Sequence, residues 1–263
     1  STDKGTINCE HVVNAAGSFA KQIGEWVGLD LPIVNMEHHY LVTDNLPEVE
    51  ALDKEPPVIR DPKASAYYRQ EQKGILIGPY ERAGAQAWGL DGIDWSFDME
   101  LLTPALDRLE TSLEHAAERI PCWTNAGIKR VVNGPITHTP DGGFLLGPAE
   151  GLRNYWLCCG ASIGITQGPG CGKYLAQWMV HGQTEINVRE MDPRRYGKWA
   201  SGDYAIAKSI DEYQQMYQPH LPGEYRDAGR PTRVTPLYEP LKKAGARSEE
   251  HTSELQSPDH LVC

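Results

Sequence analysis

The fold is decided by residues Gly134 to Gly182, which read GPITHTPDGGFLLGPAEGLRNYWLCCGASIGITQGPGCGKYLAQWMVHG. Tyr155 to Cys159 is a short apolar run that predicts a buried strand. A glycine-rich segment from Gly160 to Gly172 follows, and glycine lets the backbone approach a ligand closely. A helix is predicted to begin near Pro169, with its first-turn N–H groups facing the loop. This order of elements predicts a ligand-contacting turn, and a tight packing turn between a strand and a helix is the alternative.

The N-terminal segment up to Asp30 predicts one strand followed by one helix. Gly5 to Ala15 becomes fully apolar toward its end and predicts a strand that stops at Gly17. Ser18 is a favourable N-cap residue for the helix that follows. The apolar face predicted for this helix consists of Phe19, Ile23, Trp26 and Val27.

The pattern from Leu31 to Asn133 is that of an antiparallel sheet with one helix. The strand-like segments are His38 to Thr43, Ala66 to Gln70, Gly74 to Tyr80 and Gly127 to Asn133, and a hairpin turn joins the second to the third. Pro104 predicts the first position of a helix that Thr103 caps. The apolar stripe predicted for that helix is Leu106, Leu109, Leu113, Ala116 and Ile120.

These patterns predict a mixed fold with α/β and α+β parts. Residues 1–30 and 134–182 are expected to belong to a Rossmann-like nucleotide-binding domain. Residues 31–133 are expected to form an antiparallel-sheet substrate domain that interrupts it. Beyond Gly182, residues 183–246 predict a proline-rich, helix-poor connector.

The composition argues against two classes of partner. The net charge is −11 and no run of three Lys or Arg residues occurs, whereas nucleic acids and anionic membranes are bound through basic patches. No apolar stretch reaches the roughly twenty residues that span a bilayer. We therefore expect neither a nucleic-acid partner nor a membrane partner.

Cysteine and histidine spacing predicts neither a disulfide framework nor a metal site. The cysteines show no C-x-x-C spacing and are interpreted as reduced thiols, and Cys158 and Cys159 would point to opposite faces of a strand. His115 is predicted on a charged helix face, His138 on a turn and His181 at a helix end. Because these histidines lack clustered ligands, we expect no metal.

Several motifs occur in the order found in one enzyme family. They are His11-Val12-Val13-Asn14-Ala15-Ala16-Gly17, Glu37-His38-His39-Tyr40, Tyr67-Tyr68-Arg69, Val132-Asn133-Gly134-Pro135, Thr139-Pro140-Asp141-Gly142, Leu146-Gly147-Pro148, Gly160 to Thr166 and Tyr196-Gly197-Lys198-Trp199. Together they resemble the dimethylglycine and sarcosine dehydrogenases, a family of glycine-oxidase-like, FAD-dependent amine oxidoreductases. The resemblance extends from His11 to Ala246.

The resemblance implies FAD-dependent oxidative demethylation of an N-methylated glycine by hydride transfer to flavin. It leaves open whether the substrate is dimethylglycine or sarcosine, and it implies an electron acceptor for the reduced flavin. His38 and Tyr67 match the family's catalytic His and Tyr. Because side chains alternate along a strand, His38 and Tyr40 are expected on one face and His39 on the other.

The resemblance also implies which residues contact the flavin. Ala15, Gly17 and Phe19 match the strand-end motif that meets the cofactor. The residues that match the loop beside the isoalloxazine ring are Gly160, Ala161, Ser162, Ile163, Gly164 and Ile165. The family commonly has an aromatic residue after the first glycine of this loop, and this chain departs from that pattern at Ala161. No G-x-G-x-x-G motif for the FAD pyrophosphate occurs in these residues.

Parts of the family's protein are expected outside this sequence. They are the flavin-linking histidine and a module that binds tetrahydrofolate, toward which residues 183–246 would connect. Residues 247–263 match the translation of a widely used short-read sequencing adapter, and we expect them to be an adapter-derived tail on a fragment. The fragment by itself is expected to be inactive and to lose FAD during gel filtration.

Two further expectations concern the whole protein. Its location would be the cytoplasm in a bacterium or the mitochondrial matrix in a eukaryote. The alternative function is that of a non-catalytic subunit resembling the regulatory subunit of pyruvate dehydrogenase phosphatase, which shares this architecture.

Overall fold

The computed structural model describes residues 2–200, 202–224, 226–230, 232 and 234–246, and the expected adapter-derived tail at 247–263 lies outside them. The described strands are β1 (Val12–Asn14), β2 (Val34–Thr43), β3 (Ile59–Asp61), β4 (Ala66–Glu71), β5 (Gly74–Pro79), β6 (Ala87–Trp88), β7 (Ile128–His138), β8 (Leu145–Pro148) and β9 (Tyr155–Cys159). The described α-helices are α1 (Ala20–Glu25), α2 (Pro47–Glu50), α3 (Glu110–Arg119), α4 (Gly164–His181), α5 (Gly202–Gln215) and α6 (Tyr238–Lys243). Short 3-10 turns lie at Gly17–Phe19, Leu106–Leu109, Pro121–Asn125, Arg189–Met191 and Pro193–Arg195.

The smaller of two sheets has its strands in the order β1-β9-β8. β1 and β9 run parallel, whereas β8 and β9 are antiparallel. Alternate residues of β9 face two different apolar cores. Leu157 and Cys159 pack with Leu145, while Cys158 packs with a core that contains Leu175 of α4. Both faces of the sheet are therefore covered, and the prediction that the two adjacent cysteines point to opposite faces is confirmed.

The larger sheet is antiparallel, and its path is β3-β4-β5-β2-β6, with β7 paired to β2. Helix α3 covers one face, where Ala116 packs with Tyr68 and Ile77. Helix α5 covers the other face, where Tyr213 packs with Met36. The predicted mixed fold with an antiparallel sheet is confirmed.

The hairpin of β4 and β5 matches its prediction closely. β4 ends at Glu71 rather than Gln70, and β5 ends at Pro79 rather than Tyr80. Gln72 takes a left-handed backbone conformation in the turn, with φ of 55°. Because the turn contains few residues, local pattern is enough to set the register of the two strands.

The N-terminal strand and helix differ from their predictions. β1 covers only Val12–Asn14, the residues that pair with β9, rather than the whole of Gly5 to Ala15. A 3-10 turn precedes α1, so Phe19 rather than Ser18 takes the N-cap position of the helix.

The buried face of α1 is also different from the predicted one. Ala20 and Gly24 are its buried residues, whereas Trp26 is 71% exposed. The indole of Trp26 lies 5.3 Å from that of Trp95, which in turn stacks on Phe19 at 5.2 Å. Phe19 and Trp26, which were predicted on the apolar face of the helix, therefore form an aromatic cluster with Trp95 in which Trp26 is exposed.

The start of α3 was predicted at Pro104 but lies at Glu110, after a 3-10 turn. Tertiary contacts account for the difference. The Ala105 N–H donates to Nε2 of His39 at 3.1 Å, and the side-chain amide of Asn133 donates to the Thr103 carbonyl at 2.9 Å. These hydrogen bonds hold the backbone before residue 106 outside a helix.

β7 continues past the predicted end at Asn133 and stops at His138. Its partner β2 is long enough to pair with all of it, so that Pro135 lies opposite Glu37 and His138 lies opposite Val34. The prediction of His138 on a turn was wrong, and its side chain is completely buried.

The helix after β9 begins at Gly164, five residues before Pro169. Pro169 therefore lies inside α4, and the carbonyl of Ile165 is left without the N–H that a helix would offer it. Ile165 is 99% exposed, so water can hydrate that carbonyl. The glycine loop is correspondingly short, because Gly168, Gly170 and Gly172 belong to the helix.

The segment after Gly182 is not helix-poor, because α5 spans 14 residues of it. Ala205, Ser209 and Tyr213 are its buried residues, spaced four apart along one face. This face brings α5 onto the large sheet.

Candidate active site

His38 and Tyr67, which lie on β2 and β4, are brought together by the sheet. The Nε2 atom of His38 lies 3.2 Å from the Tyr67 hydroxyl. The ring of Tyr67 lies over Gly78 of β5, its direct cross-strand neighbour. A Cβ atom at Gly78 would lie 1.9 Å from Cζ of Tyr67, so glycine is what gives the ring its space.

Tyr213 of α5 contacts His38 from the opposite side. Its hydroxyl lies 3.0 Å from Nδ1 of His38 and donates a short hydrogen bond to Oε2 of Glu81. Tyr213 and Glu81 are both buried. The prediction from sequence included neither. The four-residue period of α5 is a signal for Tyr213, whereas a single carboxylate after β5 gives no comparable signal for Glu81.

Glu81 is held in its ionised form. Burial by itself raises the pKa of Glu81, but its contacts with His39 and Tyr213 outweigh burial and lower the pKa below its usual range. The His39 Nδ1 atom lies 3.4 Å from the carboxylate, and Nε of Arg108 lies 4.0 Å from it. A buried carboxylate stays ionised when it has cationic and hydrogen-bonding neighbours.

His38 and Tyr67 are both neutral at pH 7. Burial lowers the pKa of His38 to about 4, although Glu81 partly opposes this shift. Burial likewise raises the pKa of Tyr67 to about 12. Tyr67 is partly exposed, whereas His38 is 9% exposed. Tyr67 is thus the member of the pair nearer to the surface, and His38 lies behind it.

His39 has contacts of its own, although it also lies near Glu81. Its Nε2 atom accepts the Ala105 N–H, and its side chain is fully buried. The prediction that His38 and His39 face opposite sides of the strand is confirmed.

The residues matched to flavin contacts also come together. Ala15, Gly17 and Phe19 follow β1, and the segment Gly160 to Ile165 follows β9. Because β1 and β9 are parallel neighbours, their carboxyl ends lie at the same edge of the sheet. Gly17 and Gly160 both take left-handed backbone conformations, with φ of 56° and 74°.

Two hydrogen bonds tie this edge to the large sheet. The Asn35 amide donates to the Ser18 carbonyl at 3.1 Å, and the Thr137 hydroxyl donates to the Ala161 carbonyl at 3.1 Å. Asn35 precedes His38 by three residues, which corresponds to about 10 Å along a strand. The His38–Tyr67 pair and the two glycine turns therefore occupy neighbouring parts of the molecule.

The sequence model of the family described as "FAD dependent oxidoreductase" matches residues 1–178. The chain belongs to this family. A second model, described as "FAD dependent oxidoreductase central domain", matches residues 181–235, the segment that contains α5. The prediction of FAD as the cofactor is confirmed.

Relatives of this FAD-dependent oxidoreductase include two mitochondrial dehydrogenases of Mus musculus. Dimethylglycine dehydrogenase is 44% identical over 246 residues, which are 92% of this chain and 28% of that protein. Sarcosine dehydrogenase is 33% identical over 260 residues, which are 95% of this chain and 27% of that protein. The predicted resemblance is confirmed, and the chain spans little more than a quarter of the length of these relatives.

A solved structure is similar as well. L-proline dehydrogenase from P. horikoshii aligns with a TM-score of 0.60 and 26% identity, over 73% of this chain and 48% of that chain. The alignment supports the flavoenzyme fold of the present family member.

The residues at the ends of β1 and β9 fit a flavin. Oδ1 of Asn35 is buried and has no hydrogen-bond partner among the described residues, and it lies beside Ser18 at this edge. Such an orphaned acceptor suits an N–H donor of a bound ligand. The N-terminus of α4 also begins directly after Ile163, and a helix N-terminus favours an electron-rich group.

Two features are absent from the part of the chain that the structure describes. No group of three or more His, Cys, Asp or Glu side chains there is placed to hold a metal ion. No helix there is both long and apolar enough to cross a membrane.

Proposed function

We propose that the whole protein is an FAD-dependent dehydrogenase that oxidatively demethylates an N-methylated glycine, either dimethylglycine or sarcosine. The observation that carries the proposal is the hydrogen-bonded pair of His38 and Tyr67 within a chain of this flavoenzyme family. The names of the two Mus musculus relatives supply the substrate class.

Flavin supplies a hydride acceptor for the C–H bond next to the amine nitrogen. The amine must first be neutral, since its lone pair forms the C=N bond of the iminium product as the hydride leaves. An N-methylated glycine is an ammonium at pH 7, so one proton has to be removed at the site.

The protein's own residues suit that proton transfer. Tyr67 is neutral and partly exposed, and its hydroxyl oxygen can accept a hydrogen bond from an ammonium N–H. His38 is neutral behind it and has a free lone pair for a proton. We assign Tyr67 to substrate contact and His38 to proton acceptance through Tyr67.

We assign flavin contact to the residues at the two strand ends, which are Ala15, Gly17, Phe19, Gly160, Ala161, Ser162, Ile163, Gly164 and Ile165. Support comes from their position at one edge of the small sheet, beside the orphaned oxygen of Asn35. An electron acceptor for the reduced flavin completes the proposed cycle. The location we propose is the mitochondrial matrix in a eukaryote and the cytoplasm in a bacterium.

The test is anaerobic mixing of the full-length, flavin-loaded protein with dimethylglycine and with sarcosine, followed by flavin absorbance. We expect bleaching by at least one of them, and a bleaching rate that falls by about 10²–10⁴-fold in His38→Gln, the range for loss of a general base. Tyr67→Phe tests the substrate contact in the same way, and Tyr217→Phe is the matched control. Flavin that stays oxidised with both amines would refute the proposal and favour the non-catalytic regulatory subunit.

A further inference from the structure

A buried chain of hydrogen bonds continues behind His38. It begins at the Tyr67 hydroxyl, which lies 3.2 Å from Nε2 of His38. It continues from Nδ1 of His38 to the Tyr213 hydroxyl, at 3.0 Å. It ends where Tyr213 meets Oε2 of Glu81. Strands β2 and β4, the segment after β5 and helix α5 contribute to it, and Tyr213 comes from the segment that we expected to be only a connector.

The direction of every hydrogen bond in this chain follows from its last member. An ionised carboxylate only accepts hydrogen bonds, so the Tyr213 hydroxyl must donate its single proton to Glu81. The Tyr213 oxygen can then only accept from His38, which requires a proton on Nδ1. A neutral imidazole carries one N–H, so Nε2 of His38 is an acceptor and receives the hydrogen bond that the Tyr67 hydroxyl donates.

We propose that Glu81 and Tyr213 are positioning residues that hold His38 in its Nδ1–H tautomer and so make Nε2 the proton acceptor for Tyr67. The catalytic meaning of this assignment rests on the proposed function, whereas the tautomer itself does not. Because the hydrogen of Tyr67 points at His38, the lone pairs of the Tyr67 oxygen are left for a substrate N–H.

The groups around these hydrogen bonds support the directions assigned to them. Glu81 is 2% exposed and lies near His39 and Arg108, so a charged carboxylate is stabilised there. The low pKa of Glu81 and the low pKa of His38 agree with a carboxylate that accepts and an imidazole that stays neutral.

Other titratable groups also face this cluster from the elements packed around it. The His38 ring lies against those of Tyr67 of β4, Tyr80 after β5 and Tyr213 of α5, and the ring of His138 of β7 lies against Tyr213. The Glu81 carboxylate opposes the effect of burial on the pKa of His38. Burial raises the pKa of the three tyrosines and lowers that of His138 to about 3. At pH 7 the three tyrosines and His138 are neutral, so Glu81 supplies the negative charge that orients the chain of hydrogen bonds.

The first experiment reads the tautomer directly in the 263-residue chain, without flavin. Long-range nitrogen–proton NMR correlations distinguish protonated from unprotonated imidazole nitrogens, and His38→Gln identifies the His38 signals. We expect Nδ1–H in the wild type at pH 7. We expect a shift toward Nε2–H in Tyr213→Phe, which keeps the ring but removes the acceptor, and a mixture in Glu81→Gln, whose amide offers both a donor and an acceptor.

Tyr217→Phe is the matched control, since it removes a hydroxyl from the same aromatic cluster outside the chain of hydrogen bonds. It should leave the His38 signals unchanged. Nε2–H in the wild type would overturn the proposal even if no variant folded. A Tyr213→Phe spectrum identical to that of the wild type would overturn it as well.

The second experiment uses the full-length, flavin-loaded enzyme. Tyr213→Phe should slow flavin reduction at saturating substrate by roughly 3- to 10-fold, the equivalent of one lost hydrogen bond, and alter its pH profile with little change in KM. A purely structural role would lower the flavin content or raise KM instead. If the tautomer is as expected but no amine reduces the wild-type flavin, the proposed function fails while the positioning of His38 stands.

Discussion

Replacing Gly78 with alanine should push Tyr67 off His38. The added Cβ would lie 1.9 Å from Cζ and 2.3 Å from the hydroxyl of Tyr67. Carbon atoms in contact are separated by about 3.5–4.0 Å, so the ring has to move by about 1.5–2 Å. The hydrogen bond between Tyr67 and His38 is already 3.2 Å long and cannot survive such a shift.

The free energy of unfolding should fall by about 0.5–4 kcal/mol. Forcing the ring aside costs about 1–3 kcal/mol, and the lost hydrogen bond costs about 0.5–1.5 kcal/mol more. Alanine in place of glycine in a strand recovers about 0.5–1 kcal/mol of backbone entropy. Because Gly78 sits in ordinary strand backbone, the collision with Tyr67 is the source of the loss.

Urea unfolding of four proteins tests this reasoning: the wild type, Gly78→Ala, Tyr67→Ala and the double variant. With Tyr67 already truncated, the alanine at position 78 should be neutral or stabilising, which gives a large coupling energy between the two positions. In the full-length enzyme, Gly78→Ala should slow flavin reduction as Tyr67→Phe does. If Gly78→Ala alone is as stable as the wild type, the close approach of the Tyr67 ring to Gly78 is refuted.

Three further predictions concern stability. Gly160→Ala should destabilise the protein by about 2–4 kcal/mol, since φ at this position is 74° and the added Cβ would lie 2.8 Å from Cγ2 of Thr139. Adding Thr139→Ser should restore part of the lost stability in thermal unfolding. If it restores none, the clash with Thr139 is not the cause. His138→Phe should leave the free energy of unfolding nearly unchanged at pH 7 and raise it by about 2 kcal/mol at pH 5. Burial lowers the pKa of His138 to about 3, so the wild-type protein loses stability as the pH falls below about 6.5, where the unfolded chain binds a proton at His138 and the folded protein does not. An unchanged pH dependence of unfolding in the variant would contradict this. Arg195→Ala should lower the free energy of unfolding by about 1–2 kcal/mol, because it removes two hydrogen bonds to Asp141, of 2.7 and 2.9 Å. Calorimetry should also find Arg195→Lys less stable than the wild type. A lysine variant as stable as the wild type would show that the paired geometry of the two hydrogen bonds is unimportant.

Local sequence was sufficient to predict the structure where the deciding contacts join residues that are close in sequence. The β4–β5 hairpin and the alternation of His38 and His39 depend on neighbouring residues, and both could be predicted. The placement of Tyr67 beside His38 also agrees with the resemblance to the flavoenzyme family. The catalytic roles of these two residues stay predictions.

Sequence reasoning was wrong where distant contacts decide the local structure. Thr103 is a good helix cap by residue type, but hydrogen bonds to β2 and β7 hold that segment in another conformation. Pro169 predicts a helix start, yet α4 accommodates it because the affected turn faces water. Glu81 and Tyr213 could not be placed at the site at all, since their roles exist only after folding joins positions 132 residues apart.

The contact between His38 and Tyr213 spans 175 residues, one of the longest sequence separations in the chain. Closing so long a loop is entropically costly and slow, so the strands around His38 can pair before α5 is in place. Because α5 follows all strands of the sheet in sequence, a sheet that pairs first would leave His38 open on one side until α5 docks. Local detachment of α5 would remove Tyr213 from His38 while leaving the pairing of β2 with β7 intact.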